Sequence, residues 1–183
     1  MRQALKLHPD SRCDAVTAIE VEAARPAAGR LCLRYRVTGD PGGLVLPAAA
    51  APARAEGLWK QTCFEAFLRG APGGAYTEVN LAPSRLWAAY AFEGYRAGMR
   101  PAEIAAPQVE TGIEAESYEL RADLTLDGLA ELPAAAPWQL GLSAVIEEAG
   151  GRVSYWALAH PPGKPDFHHS DCFALELAAA WRP

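Results

Sequence analysis

The chain has 183 residues, of which 50% are hydrophobic and 21% charged, enough apolar material for one packed core. With 17 Lys and Arg against 22 Asp and Glu, the formal net charge is −5. The basic residues stand singly, without the stripe that a phosphate backbone requires, so nucleic acid is not an expected partner.

At the N-terminus, the run from Met1 to Asp10 carries no apolar stretch after its basic residues. Neither a secretory signal nor a membrane anchor is visible there, and the expected compartment is the cytoplasm. Cys13, Cys32, Cys63 and Cys172 stand far apart with no C-x-x-C spacing. In that compartment they read as free thiols, two of them serving as small hydrophobes within strands.

Strand-like alternation then recurs along the chain. The predicted strands are Val16 to Glu22, Leu31 to Thr38, Gln61 to Arg69, Ala75 to Leu81, Leu86 to Phe92, Val109 to Ala115, Tyr118 to Leu126, Trp138 to Glu148, Arg152 to Ala159 and Cys172 to Leu177. Their length and their Gly, Pro and Ala-rich connections predict an all-β fold, a two-sheet antiparallel β-sandwich of jelly-roll or immunoglobulin-like type, as a single domain over residues 1–183. The alternation is sharpest where Tyr118, Leu120, Ala122, Leu124 and Leu126 share one face and Glu119, Arg121, Asp123 and Thr125 the other. Glu147 to Arg152 reads as a hairpin turn because Gly150-Gly151 tolerates positive φ. Gly70 to Gly74 reads as another hairpin loop. Two stretches do not fit strands: the Ala/Pro-rich Pro47 to Glu56, expected to be mobile or briefly helical, and Gly94 to Ala106, expected to hold a helical turn around Pro101 to Ile104.

Within this frame, Leu58 to Phe67 and Tyr76 to Ser84 carry the chemistry. Cys63, Glu65 and Phe67 alternate onto one face of their strand, and Tyr76, Glu78 and Asn80 onto one face of the next. If the faces coincide, Glu65, Tyr76, Glu78 and Asn80 form a patch of donors, acceptors and an aromatic ring suited to sugar hydroxyls and ring faces. The alternative is a solvated sheet surface that binds nothing.

Of Trp59, Trp87, Trp138, Trp156 and Trp181, most read as packing, while Trp59 and Trp156 are the candidate stacking platforms. Trp59 lies just before a strand, and Trp156 is placed in one row with Ser154 and His160. The segment His160 to Asp171, with Lys164, Asp166, His168 and His169, is a proline-stiffened polar loop that would shape one end of the sandwich. A metal held by His160, Asp166, His168 or Asp171 matches no compact ligand spacing, and adjacent His168 and His169 cannot both point inward. The hydrolase elbow, the zinc-protease helix and the phosphate and dinucleotide glycine motifs are missing.

The run Leu58-Trp59 to Phe67, then Tyr76-x-Glu78-x-Asn80-x-x-Pro83 with Trp87 and Tyr90, and Asp166-Phe167-His168-His169-x-Asp171-Cys172-Phe173, resembles bacterial DOMON-like proteins, within the superfamily of family 9 carbohydrate-binding modules. The resemblance spans about Leu58 to Leu177. It implies a jelly-roll β-sandwich that holds a sugar or a haem, with Trp59 and Trp156 at the sugar-clasping positions. For a haem it implies Met99 with His160 or His168 as axial ligands.

The leading expectation is a non-catalytic module that presents Trp59, Glu65, Tyr76, Glu78, Asn80, Trp156, His160, Lys164 and His168 to a small polar ligand, a saccharide by preference. A haem or metal carrier is the second reading. A hydrolase using Glu65 or Glu78 with His168 is the third, favoured if those carboxylates crowd in a closed cleft.

Overall fold

The structure, a computed structural model, describes residues 1–72 and 74–180. Trp181 and Gly73 of the Gly70 to Gly74 loop lie outside that range. Among the described residues there are twelve strands: β1 (Arg2–Leu7), β2 (Val16–Ala24), β3 (Arg30–Gly39), β4 (Cys63–Arg69), β5 (Tyr76–Leu81), β6 (Trp87–Phe92), β7 (Arg100–Pro101), β8 (Gln108–Glu114), β9 (Ser117–Thr125), β10 (Trp138–Glu147), β11 (Val153–Ala157) and β12 (Leu175–Leu177). Every pairing is antiparallel, in the order β7-β6-β5-β4-β10-β11-β1-β2-β3-β9-β8, with β12 also beside β10.

That continuous sheet curls onto itself to make the expected sandwich, and β1 is where it turns. Arg2 to Leu5 pair with β2, whereas Lys6 and Leu7 pair with Trp156 and Ala157 of β11. One short strand thus belongs to both layers. Its burial alternates, with Gln3, Leu5 and Leu7 turned inward and Arg2, Ala4 and Lys6 exposed, but the polar Gln3 on the inner face and the apolar Ala4 on the outer one hide that alternation in the sequence.

Between the layers, alternate side chains from β3 (Leu31, Leu33, Tyr35, Val37), β9 (Tyr118, Leu120, Ala122, Leu124), β4 (Phe64, Ala66, Leu68) and β10 (Leu140, Leu142, Ala144, Ile146) form one apolar cluster. Phe64 packs between Tyr35 and Tyr118, with ring centroids 5.0 and 5.9 Å away. Burying a ring of this size contributes roughly 1.5–3 kcal/mol. The Tyr35 hydroxyl, which burial would otherwise strand, donates to the Glu65 carbonyl at 2.8 Å. This cross-layer bond fixes β4 where the polar face begins.

The β4 and β5 strands are buried on both faces. Their outer face is covered by a second apolar cluster that includes Phe67, Tyr76, Phe92, Phe167 and Phe173. The solvated-surface alternative is therefore wrong for these strands. The chain's own loops supply the cover, bringing Phe167 and Phe173 over the sheet.

Short 3-10 turns occur at Pro41–Gly43, Leu58–Lys60 and Ser170–Cys172, and not at the two places predicted. Around Pro101 the chain is extended, because β7 pairs with β6 and the Ala102 N–H donates to the Ala89 carbonyl at 2.9 Å. Within Pro47 to Glu56, Ala53 and Ala55 are tied by backbone hydrogen bonds to Trp87, and Arg54 lies 4.5 Å above the Trp87 ring. Small side chains let that backbone lie flat along β6. The β10–β11 hairpin forms as expected, with Gly151 at φ +80°. No helix among the described residues is long and apolar enough to cross a membrane.

Candidate functional site

Register brings the two polar faces together. Glu65 stands opposite Asn80 and Phe67 opposite Glu78 across β4 and β5, so Glu65, Phe67, Tyr76, Glu78 and Asn80 all project from the outer face. The neighbouring β6 places Tyr90 beside Glu78 and Phe92 beside Tyr76. Val145 of β10 and Val153 and Tyr155 of β11 extend the same surface.

These strands floor a cavity of about 1010 Å³. One wall is the turn at Leu58–Lys60, which begins at Gly57 with φ +70° and carries Trp59 and Lys60. A second wall holds Arg96 and Met99, and a third Pro165, Phe167 and His168.

The floor is acidic and buried: Glu65 is 3% exposed and Glu78 6%. Burial, and after it the charge of Glu78, pushes the Glu65 carboxyl well above the usual carboxylate range. Burial also raises Glu78, against the opposing pull of the Asn80 amide, which donates to Glu78 Oε1 at 2.7 Å, and of the Arg96 charge. Two neighbouring carboxyls in such a site favour sharing a proton over being charged together. The hydroxyl of Ser143, which faces Glu65 across β10 and β4, opposes the rise of that carboxyl by hydrogen bonding to it.

His168 completes this arrangement. Its Nδ1 lies 2.7 Å from the Tyr76 hydroxyl and its Nε2 3.8 Å from Glu78 Oε2. The Arg96 backbone N–H donates to the same Tyr76 oxygen at 3.2 Å, which leaves the Tyr76 hydrogen to donate to Nδ1. The imidazole proton is thereby assigned to Nε2, on the side facing Glu78. Burial, with Arg96 adding to it, lowers His168 to about 4, so the ring is neutral at neutral pH. Asp166 anchors the loop: it accepts from Tyr95 Oη at 2.5 Å, from Arg96 Nη2 at 2.8 Å and from the His168 N–H at 3.2 Å. Against the upward push of burial, the Tyr95 and Arg96 hydrogen bonds hold Asp166 below its ordinary value.

Of the residues singled out from sequence, Trp59, Glu65, Glu78 and His168 line the cavity, and Tyr76 and Asn80 support it from the floor. Trp156 does not: it sits opposite Ala144 in the core between the layers, its Nε1 donating to Ser154 Oγ at 3.1 Å. The side chain aimed at the cavity is its neighbour Tyr155. His160 faces away, with Nε2 on the Lys6 carbonyl at 2.8 Å and its ring edge-on to His8 at 4.8 Å, where it clamps β1. Lys164 is exposed and borders no part of the cavity. Of the adjacent histidines, His168 points in, while Nδ1 of His169 accepts from the Asp171 N–H at 3.3 Å.

Tyr90, Phe92, Arg96, Tyr155 and Phe167 line the cavity without having been assigned from sequence. For Tyr155 the available signal was the alternation Val153, Tyr155, Ala157, and the larger neighbour Trp156 masked it. Met99 and His168 border the same space, yet the site does not fit a haem. Both His168 nitrogens are turned to Tyr76 and Glu78, and the floor beneath is a carboxyl pair, not an apolar bed. No group of three or more His, Cys, Asp or Glu among the described residues is placed to hold a metal ion.

Comparison with known proteins places the fold. A family 9 carbohydrate-binding module from Caldicellulosiruptor kristjanssonii in complex with glucose aligns with a TM-score of 0.62 at 12% identity, over 98% of this chain and 86% of that one. A module of the same family and organism in complex with cellotriose gives 0.59 at 12% identity, over 98% and 83%. A Bacteroides uniformis protein provisionally described as carbohydrate-binding gives 0.66 at 13% identity, over 93% and 83%. The chain therefore has the β-sandwich fold of family 9 carbohydrate-binding modules. No family model and no curated protein matches its sequence.

Proposed function

We propose that this protein is a non-catalytic, DOMON-like binding module that takes a small saccharide into the cavity over β4, β5 and β6. The observation that carries the reading is the pairing of aromatic rings with buried carboxyls in one cavity. Trp59, Tyr90, Phe92 and Tyr155 offer faces and edges for a sugar ring, while Glu65 and Glu78 offer polar groups at the floor. Glucose and cellotriose, bound by two proteins that share the fold, support the same ligand class.

A few ring contacts and oriented hydrogen bonds, offset by the loss of ligand freedom, correspond to a Kd of roughly millimolar to micromolar. A calorimetric screen of mono- and disaccharides tests this. At least one sugar binds with 1:1 stoichiometry, and Trp59→Ala weakens it about tenfold, near the roughly 1.4 kcal/mol expected for a stacking contact. No heat with any sugar at millimolar concentration contradicts it.

The crowding of Glu65 and Glu78 favours one second reading, general acid–base chemistry on a bound glycoside. A carboxyl whose value burial raises holds its proton more tightly, as a group that protonates a leaving oxygen must. Chromogenic glycosides test it: turnover lost in both Glu65→Gln and Glu78→Gln supports catalysis, and no turnover in the wild type rejects it.

A further inference from the structure

The floor holds two buried carboxyls, and among the described residues no lysine or arginine forms an ion pair with either. Removing one carboxylate from water without a counter-charge is costly, and two diagonal neighbours on adjacent strands add mutual repulsion. The nearby cations are committed elsewhere. The Arg96 guanidinium is bound by Asp166, and Lys60 lies 5.5 Å from the Trp59 ring at the rim. Both carboxyls border a cavity large enough for a sugar ring, and the partner on the Glu65 carboxyl is the neutral hydroxyl of the facing Ser143. Glu78 is flanked across the sheet by Phe67 and Tyr90, whose ring faces attract cations. Neutral sugar hydroxyls would leave both carboxyls without a cation bonded to them.

We infer that the cavity selects a saccharide carrying a free primary ammonium group, an unacetylated amino sugar, which Glu65 and Glu78 hold at the floor beside the Phe67 and Tyr90 rings. This rests on the saccharide reading above and narrows its ligand class. Binding is coupled to a proton. Burial beside Glu78 raises the Glu65 carboxyl in the ligand-free floor and the arriving ammonium lowers it again, so binding shifts Glu65 towards the carboxylate and sends protons to the buffer over the pH range between its free and bound values. The other titratable and charged groups at this floor do not supply those protons. Cys63, Tyr76 and Tyr90 are shifted upward by burial and stay protonated, His168 is already neutral, and Arg96 stays charged on Asp166.

The test is calorimetry at pH 7 with glucosamine, N-acetylglucosamine and glucose, each in two buffers of different ionisation enthalpy. Glucosamine is expected to bind at least about tenfold more tightly than the other two and to release a proton, whereas glucose releases none. Glu65→Gln, which preserves shape and removes the charge, is expected to abolish both the preference and the proton release. Should that variant fold poorly, the wild-type selectivity and buffer dependence decide alone. If glucose and glucosamine bind equally, or if N-acetylglucosamine equals glucosamine, the ammonium inference is overturned while the saccharide reading stands. If none of the three binds, both fall.

Discussion

The buried carboxyl pair and His168 pull stability in opposite directions as pH changes. Glu65 and Glu78 have folded-state values raised above those of the unfolded chain. Their contribution is fully present below the ordinary carboxylate value and is lost as pH rises through the raised folded value. His168 is lowered from 6.5 to about 4. Its contribution is present above 6.5 and is lost as pH falls towards 4, a swing on the order of 3 kcal/mol. Thermal melts of the ligand-free protein should therefore show Tm declining on both the acid and the alkaline side. Glu65→Gln should raise Tm at pH 8 and leave the acid limb in place. A Glu65→Gln protein no more stable than wild type at pH 8 contradicts the buried-acid description. Tyr76→Phe removes the hydroxyl shared by Arg96 and His168, and denaturant unfolding should show a loss of about 1–3 kcal/mol.

Among the strands, β11 decides which aromatic faces the cavity, Tyr155 and not Trp156. Tyr155→Ala should weaken sugar binding with a modest change in Tm. Trp156→Ala should cost about 3–5 kcal/mol of stability as a core truncation and act on binding only through unfolding. Parallel melts and titrations separate the two, and the opposite pattern would reverse the facing of β11. The sequence left this facing ambiguous, because each face of β11 carries one large aromatic, Tyr155 beside Val153 and Trp156 beside Ser154. On β4 and β5 the alternation was legible, since glutamate, asparagine and tyrosine alternate with alanine, valine and leucine and so mark one face. Sequence did not show that this face is buried, because its cover comes from Phe167 and Phe173, nearly a hundred residues away. Gly57, at φ +70°, starts the turn that presents Trp59. Gly57→Ala should cost about 1–2 kcal/mol through left-handed strain and displace the ring, which titration would read as weakened binding.

For the whole molecule, the sandwich was readable from strand length and turn chemistry, while its closure was not. Strand order depends on pairings such as β4 with β10 and β1 with β11, which join distant parts of the chain. Local periodicity carries no information about them. The same closure makes the cavity, since β4 to β6 and β10 to β11 supply its floor and three separate loops its walls. Polar residues chosen from sequence therefore divided by strand face and loop direction: Glu65 and Glu78 converge, and His160 and Lys164 diverge. The resemblance to family 9 modules agrees with the fold.

The central claim is that this one cavity is where a saccharide binds. The direct measurement is chemical-shift mapping of isotopically labelled protein titrated with glucosamine and glucose at millimolar concentration. The account expects saturable shifts at Gly57 to Lys60, Glu65 to Phe67, Arg96, Tyr155 and Phe167 to His168, with β8 and the outer face of β9 unchanged. Shifts confined to the layer formed by β2, β3, β8 and β9, or no shifts with either sugar, would contradict it.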